Sequence, residues 1–276
     1  LAGRLATNKN SKILLLEAGP KDYNPYIKLP IGYGKLFFDQ SVNWKYYTEP
    51  EENLHGKKMY WPRGKVLGGS SSINAMVFAR GSRNDFDEWG AHASGWSWQD
   101  IEPFFRKMET WKGKSDQSRG QSGPVKVTDV STQAHPLTDC FLEATEQLGI
   151  SKNPDYNTGN IEGSFVYQTN THKGLRSSAS NAYLSPIKKQ KNLVVITRAL
   201  VKKILFEGAR AVGVEYSHKG SPKVVHATKE IIISAGALGS PQLLQISGIG
   251  PAEKLKNLNI KVLSDLPDVG LHLKDH

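Results

Sequence analysis

The 276-residue chain is 38% hydrophobic and 9% aromatic, enough apolar mass for one large domain or two smaller ones. Its lysines and arginines exceed its acids by 36 − 26 = +10. They occur in short groups such as Lys188, Lys189 and Lys191, so a solvated basic face is expected and not a nucleic-acid partner. A single cysteine, Cys140, excludes an internal disulfide and a cysteine-rich metal site. No apolar run approaches the roughly 20 residues of a membrane-spanning helix.

Leu1 to Thr7 reads as the C-terminal end of a helix, and Ser11 to Gly19 (KILLLEAG) as a short buried strand that ends in an acid and a glycine. Together they read as the second half of a βαβ dinucleotide-binding unit, in which Glu17 is placed for ribose hydroxyls. The plainer reading of such a glutamate is a solvated strand end. Trp96 to Glu109 has helical periodicity, with Trp98, Ile101, Phe104, Phe105 and Met108 on one side. Trp111 to Gly123 is polar and reads as a mobile loop, Pro124 to Thr128 as a strand, and His135 to Leu148 as an amphipathic helix stopped by Gly149. Cys140 is expected in the core of that helix. Ser151 to Ser180 lacks long periodicity. From Asn192 the pattern turns to strands (LVVIT, LVKKILFE, AVGVEYS, KVVHAT, EIIISAG), a β-meander whose Ile231–Ser234 run suits a central strand buried on both faces. A helix follows from Gly236, with Pro241 early in it, where a missing N–H does no harm.

The segment from Tyr60 to Trp89, YWPRGKVLGGSSSINAMVFARGSRNDFDEW, carries the most chemistry. Glycines permit positive φ and close approach to a large polar ligand, and successive N–H groups at a helix start form an anion site. Arg63 and Arg80 add fixed positive charge. A tight turn feeding a core helix is the competing reading.

This segment resembles the first signature of the glucose–methanol–choline (GMC) flavoprotein oxidoreductases, and GALGSPQLLQISGIGP (Gly236–Pro251) resembles the second. TEPEENLHGKKMYWPRG, HPLTDCFLEATEQLG and ALVKKILFEGARAVGVEY are similar to the choline dehydrogenase branch. The resemblance implies an α/β fold: an incomplete FAD-binding Rossmann-like domain with a β-meander, assembled from 1–91 and 185–276, plus part of an α+β substrate domain from 92–184. It implies that Glu17 and Ala18 contact the FAD ribose. Arg63, Gly68, Gly69 and Ser70 would line the pyrophosphate and flavin side, and Asn74, Ala75, Met76 and Val77 would run beneath the isoalloxazine. Val201 would meet adenine, and Ala235 and Gly236 would pass close to the cofactor. Ile73 stands where some members carry a histidine that links FAD covalently, so noncovalent FAD is expected.

The same resemblance puts a G-x-G-x-x-G turn before Leu1 and the catalytic histidine, with its histidine or asparagine partner, well beyond Pro251. No catalytic residue is therefore assigned, and the chain by itself is expected to turn over nothing. The final element, VGLHLKDH, carries His272 where the family usually has asparagine. The eight histidines, including His276, are scattered singly without a metal or base cluster, so no metal is expected. Ser70–Ser72 lacks a G-x-S-x-G elbow, which disfavours a hydrolase. The expected activity is oxidation of a choline-like primary alcohol to an aldehyde, with an electron acceptor other than NAD. Glucose or another alcohol is the alternative substrate, and a truncated noncatalytic flavin- or partner-binding protein the alternative class. Choline dehydrogenases suggest mitochondria by analogy; membrane association and oligomeric state stay open.

Overall fold

After a short helix at Ala2–Leu5, β1 (Ile13–Glu17) is a run of branched and long apolar residues, ILLLE, that ends where Gly19 turns the chain. The computed structural model describes every residue except Ser115, Asp275 and His276. It divides into two compact units, Leu1–Ile13 with Lys21–Leu193, and Leu14–Pro20 with Val194–His276. Helices and strands are mixed throughout both, giving an α/β fold.

In the larger unit, α1 (Arg83–His92) and α2 (Trp98–Met108) each start on a capping box, Ser82 with Asp85 and Ser97 with Asp100. β2 (Glu109–Lys112) follows and pairs in parallel with β3 (Val125–Asp129), which pairs antiparallel with Gln168–Thr169. Phe78, Trp111, Val125, Val127 and Ala182 form the core on this sheet. A second core joins Ile27, Leu36, Val42, Val66 and Ile73. It anchors the chain on both sides of the Gly68–Gly69 turn.

Two expectations fail here. The 111–123 segment is not loop throughout: Trp111 and Lys112 are in β2, and Arg119 and Gly120 are buried. Its polar composition hides a buried ion-pair centre, in which Arg119 reaches Glu109 at 2.8 Å and Asp155 at 2.7 Å. α3 (Leu137–Gln147) has no buried residue, so Cys140 is exposed, not core. Phe104 is likewise exposed on α2. Amphipathic spacing gave a helix but not a neighbour to cover its apolar face.

In the smaller unit, β1 pairs with β4 (Leu193–Thr197). The meander is three-stranded, β5 (Ala199–Glu207), β6 (Arg210–His218) and β7 (Ser221–His226), all antiparallel. Lys219 and Gly220 join β6 to β7 with φ of 52° and 80°, the left-handed pair that a two-residue hairpin turn needs. α4 (Gly236–Ile246) packs on β5, where the Ser247 hydroxyl accepts the Ile204 N–H at 2.9 Å.

Residues 231–234 are not a central strand. Among the described residues no strand pairs with them, and Ile232 and Ser234 are exposed while Ile231 and Ile233 are half-buried against the β5–β6 core. An apolar run without a ladder partner cannot satisfy its backbone as a strand. Pro241 also falls past the first turn of α4, where it removes an intrahelical hydrogen bond.

Candidate functional site

The glycine turn of the larger unit is built from backbone that favours glycine. Gly68 and Gly69 have φ of 94° and 58°. A Cβ on Gly64 would sit 2.3 Å from the Gly69 carbonyl carbon, so these two strands of the turn touch backbone to backbone. The serines tie it down. Ser70 Oγ accepts from Gly64 N–H at 3.0 Å, Ser71 Oγ donates to the Gly68 carbonyl at 2.6 Å, and Ser72 Oγ donates to the Leu67 carbonyl at 2.8 Å. The Ser71 hydroxyl also accepts from Ala179 N–H at 2.9 Å. Gly69–Ser72 is a single 3₁₀ turn and the next α-helix begins only at Arg83, so the expected anion site at a helix N-terminus is not formed there.

The chain then straightens into alternating exposure: Met76 and Phe78 point inward while Ala75 and Val77 are exposed. Met76 adopts φ of 64°, a left-handed conformation unusual for a large side chain. Asn74 Oδ1 holds it by accepting the Met76 N–H at 3.1 Å, and Met76 returns its carbonyl to Asn170 N–H at 2.7 Å. Arg63 stands at the other end of the turn, its backbone N–H on Asn43 Oδ1 at 3.0 Å and its guanidinium over the Trp61 ring. Arg80 does not act as a free positive charge as the sequence suggested. It is buried and bonded to Glu109 at 2.6 Å, with a guanidinium pushed below its ordinary pKa by desolvation.

Sequence reading missed Arg176. It is 3% exposed and donates to the carbonyls of Ile27 and Ser71 and to Asn74 Oδ1. Burial pushes its pKa down to about 10. Its signal lay in plain view as the only arginine of the Ser151–Ser180 stretch, a region too aperiodic to assign it a side.

The smaller unit holds the remaining predicted contacts. Glu17 ends β1 half-buried, and its Oε1 accepts the Gly19 N–H at 2.8 Å. Desolvation pushes its carboxyl up, against the lowering effect of that hydrogen bond. Ala18 is half-buried beside it. Val201 lies at a β-bulge, where the register slips between Val201 and Lys203. Ala235 and Gly236 are exposed at the start of α4, Gly236 with φ of 82° and open space where a Cβ would go. Thus Glu17, Ala18, Val201, Ala235 and Gly236 share one unit, and Arg63, Gly68, Gly69, Ser70 and Asn74–Val77 the other.

In the smaller unit the Glu17 carboxylate offers acceptors at a strand end. In the larger unit Gly69 leaves open space at a left-handed φ, and exposed Ala75 and Val77 present small apolar surface. No group of three metal-ligating side chains occurs among the described residues. His272 is exposed and faces Asp268 at 3.5 Å, whereas His276 lies outside the described residues.

The mixed helices and strands define an α/β protein. Residues 11–276 match the family model described as GMC oxidoreductase, and the chain belongs to that family. It is 44% identical over 284 residues to the mitochondrial choline dehydrogenase of Homo sapiens, covering 100% of this chain and 48% of that protein. The chain spans about half the length of the curated relatives it matches. Its structure is similar to pyridoxine 4-oxidase from Mesorbium loti, with a TM-score of 0.93 and 32% identity over 97% of this chain and 53% of the other. It is also similar to an Aspergillus oryzae RIB40 formate oxidase studied for FAD modification, with a TM-score of 0.92 and 27% identity over 100% of this chain and 50% of the other.

Proposed function

We propose that the protein carrying this chain is an FAD-dependent oxidoreductase that converts a choline-like primary alcohol to the aldehyde and passes electrons to an acceptor other than NAD. The observation that carries the substrate class is the 44% identity to a choline dehydrogenase across the whole chain. Glu17 would receive the adenosine ribose, with Ala18 beside it and Val201 at the adenine. Arg63, Gly68, Gly69 and Ser70 would border the pyrophosphate and flavin, and Ala235 and Gly236 would let the backbone pass close. Asn74, Ala75, Met76 and Val77 would underlie the isoalloxazine, with the Met76 side chain turned into the protein and Ala75 and Val77 toward the ring. When bound, FAD supplies the hydride acceptor. This chain's residues orient it and keep one ring face against apolar surface and out of water.

Ile73 supports noncovalent binding, because a branched alkyl side chain buried with Ile27, Leu36, Val42 and Val66 offers no nucleophile. The functional division we favour assigns 1–91 and 185–276 to cofactor binding and 92–184 to the substrate side. A mitochondrial location follows only by analogy with the human relative.

The test is a spectrum and a turnover assay on the full-length natural protein. Flavin bands near about 370 and 450 nm, set by the cofactor, with faster turnover of choline than of glucose or pyridoxine, support the reading. A folded, colourless protein sinks it. Preference for pyridoxine would move the substrate to another alcohol of the family, the alternative favoured by the likeness to pyridoxine 4-oxidase. Acid precipitation that leaves flavin in the pellet would overturn the noncovalent assignment.

A further inference from the structure

Three buried arginines stand in the larger unit, and two of them have carboxylates: Arg80 meets Glu109 at 2.6 Å, and Arg119 meets Glu109 and Asp155 at 2.8 and 2.7 Å. Arg176 differs. Its Nε donates to the Ile27 carbonyl at 2.7 Å, and one Nη donates to the Ser71 carbonyl at 3.2 Å and to Asn74 Oδ1 at 2.7 Å. Its other Nη is buried with no partner. Every acceptor is neutral, and no carboxylate pairs with it among the described residues. A cation desolvated without a counter-charge is costly, and folds keep such groups where another charge completes them.

The guanidinium also acts at one remove. Asn74 Oδ1, which it holds, is the atom that accepts the Met76 N–H at 3.1 Å. One acceptor therefore couples a buried cation to the left-handed Met76, the residue between exposed Ala75 and Val77.

We propose that Arg176 is a positioning residue for the flavin: it fixes Asn74, and through it the backbone of residues 75–77, and its unneutralised charge is completed by the negative charge the ring gains on taking a hydride. The inference rests on the flavin reading above. The redox step balances within that reading. The alcohol carbon would lose a hydride and become the aldehyde carbon, the hydroxyl proton would leave to a base, and bound FAD would supply the hydride acceptor and gain one negative charge. A positive charge held behind Asn74 would favour that added charge over the oxidised ring, one of the levers by which proteins tune flavin electronics.

The test uses the full-length natural protein loaded with FAD, and the variants Arg176→Gln, Arg176→Lys and Asn74→Ala. The two readouts are the two-electron midpoint potential against a reference dye and the FAD dissociation constant. Arg176→Gln, which keeps donors and loses charge, is expected to disfavour reduced flavin at least tenfold, about 30 mV for a two-electron couple. Arg176→Lys, which keeps charge and loses the fork, should hold the potential within threefold while weakening FAD binding about tenfold, and Asn74→Ala should weaken binding similarly. A potential equal to wild type in Arg176→Gln overturns the proposal, as does an equal shift in the lysine and glutamine variants, which marks a packing role only. Should Arg176→Gln fail to fold, unweakened FAD binding in Asn74→Ala overturns it. Wild-type protein that folds and binds no FAD overturns the flavin reading itself, a result distinct from a loaded protein whose potential ignores position 176.

Discussion

A backbone that touches backbone leaves no room for a side chain, and Gly64 is the instance that bears on the glycine turn. Its missing Cβ would fall 2.3 Å from the Gly69 carbonyl carbon, and no flexible side chain is there to yield. Gly64→Ala should therefore shift the turn, costing about 1–3 kcal/mol of stability and at least tenfold in FAD affinity; chemical denaturation and flavin fluorescence read the two. Retained affinity would mean the turn does not shape the ligand site. Glu17 yields a prediction with a sign. Its folded-state pKa is raised by burial, so its contribution is fully present below its ordinary value and is lost as pH rises through the raised one. On lowering pH from 7 through that window, wild type should gain thermal stability relative to Glu17→Gln, and parallel profiles would refute the buried-carboxyl picture. The glutamine still accepts the Gly19 N–H, so the comparison isolates charge.

At the scale of elements, β2 owes its place to charge as much as to apolar packing. Glu109 is fully buried between Arg80 and Arg119, and the Arg119 guanidinium lies 3.9 Å from the centre of the Trp111 ring. Removing the shared carboxylate strands Arg80 and leaves Arg119 with Asp155 as its remaining carboxylate. Glu109→Ala should destabilise the larger unit by about 3–5 kcal/mol, the range for breaking a buried pair, as measured by urea unfolding. A loss below about 1 kcal/mol would show that water reaches the centre. The outward face of α3 makes the opposite kind of prediction. Cys140 is exposed, so a thiol reagent should titrate it in the native protein at close to the rate of an unfolded control, not only after denaturant. That outcome separates the observed helix from the core helix that its spacing suggested.

Across the whole molecule, ligand binding links the parts to stability. Free FAD at a hundredfold its dissociation constant should stabilise the full-length protein by about 2.7 kcal/mol, and a thermal melt with and without added FAD reads it. The absence of any shift would mean that the folded protein has no preference for the cofactor. The net charge of +10 contributes solubility and weak attraction for anions but does not create a site, and salt should alter FAD binding only modestly.

Much of this was legible from the amino-acid order alone. The strand ILLLE with its acidic end, the three strands of the meander and the helix after Gly236 follow from local periodicity and punctuation, signals that a few neighbouring residues carry. Family membership was legible too, because long motifs such as YWPRGKVLGGSSSINAM constrain many backbone positions at once. The tertiary structure alone decided matters that depend on residues distant in sequence. It paired Arg119 with Glu109 and Asp155 and so drew a polar segment inside, it left 231–234 without a strand beside it among the described residues, and it turned Cys140 outward. It also set Arg176 behind Asn74, 102 positions away in sequence, where its charge meets no carboxylate among the described residues. Periodicity says which face of an element is apolar; only the packed chain says what lies against that face and whether a buried charge has a partner.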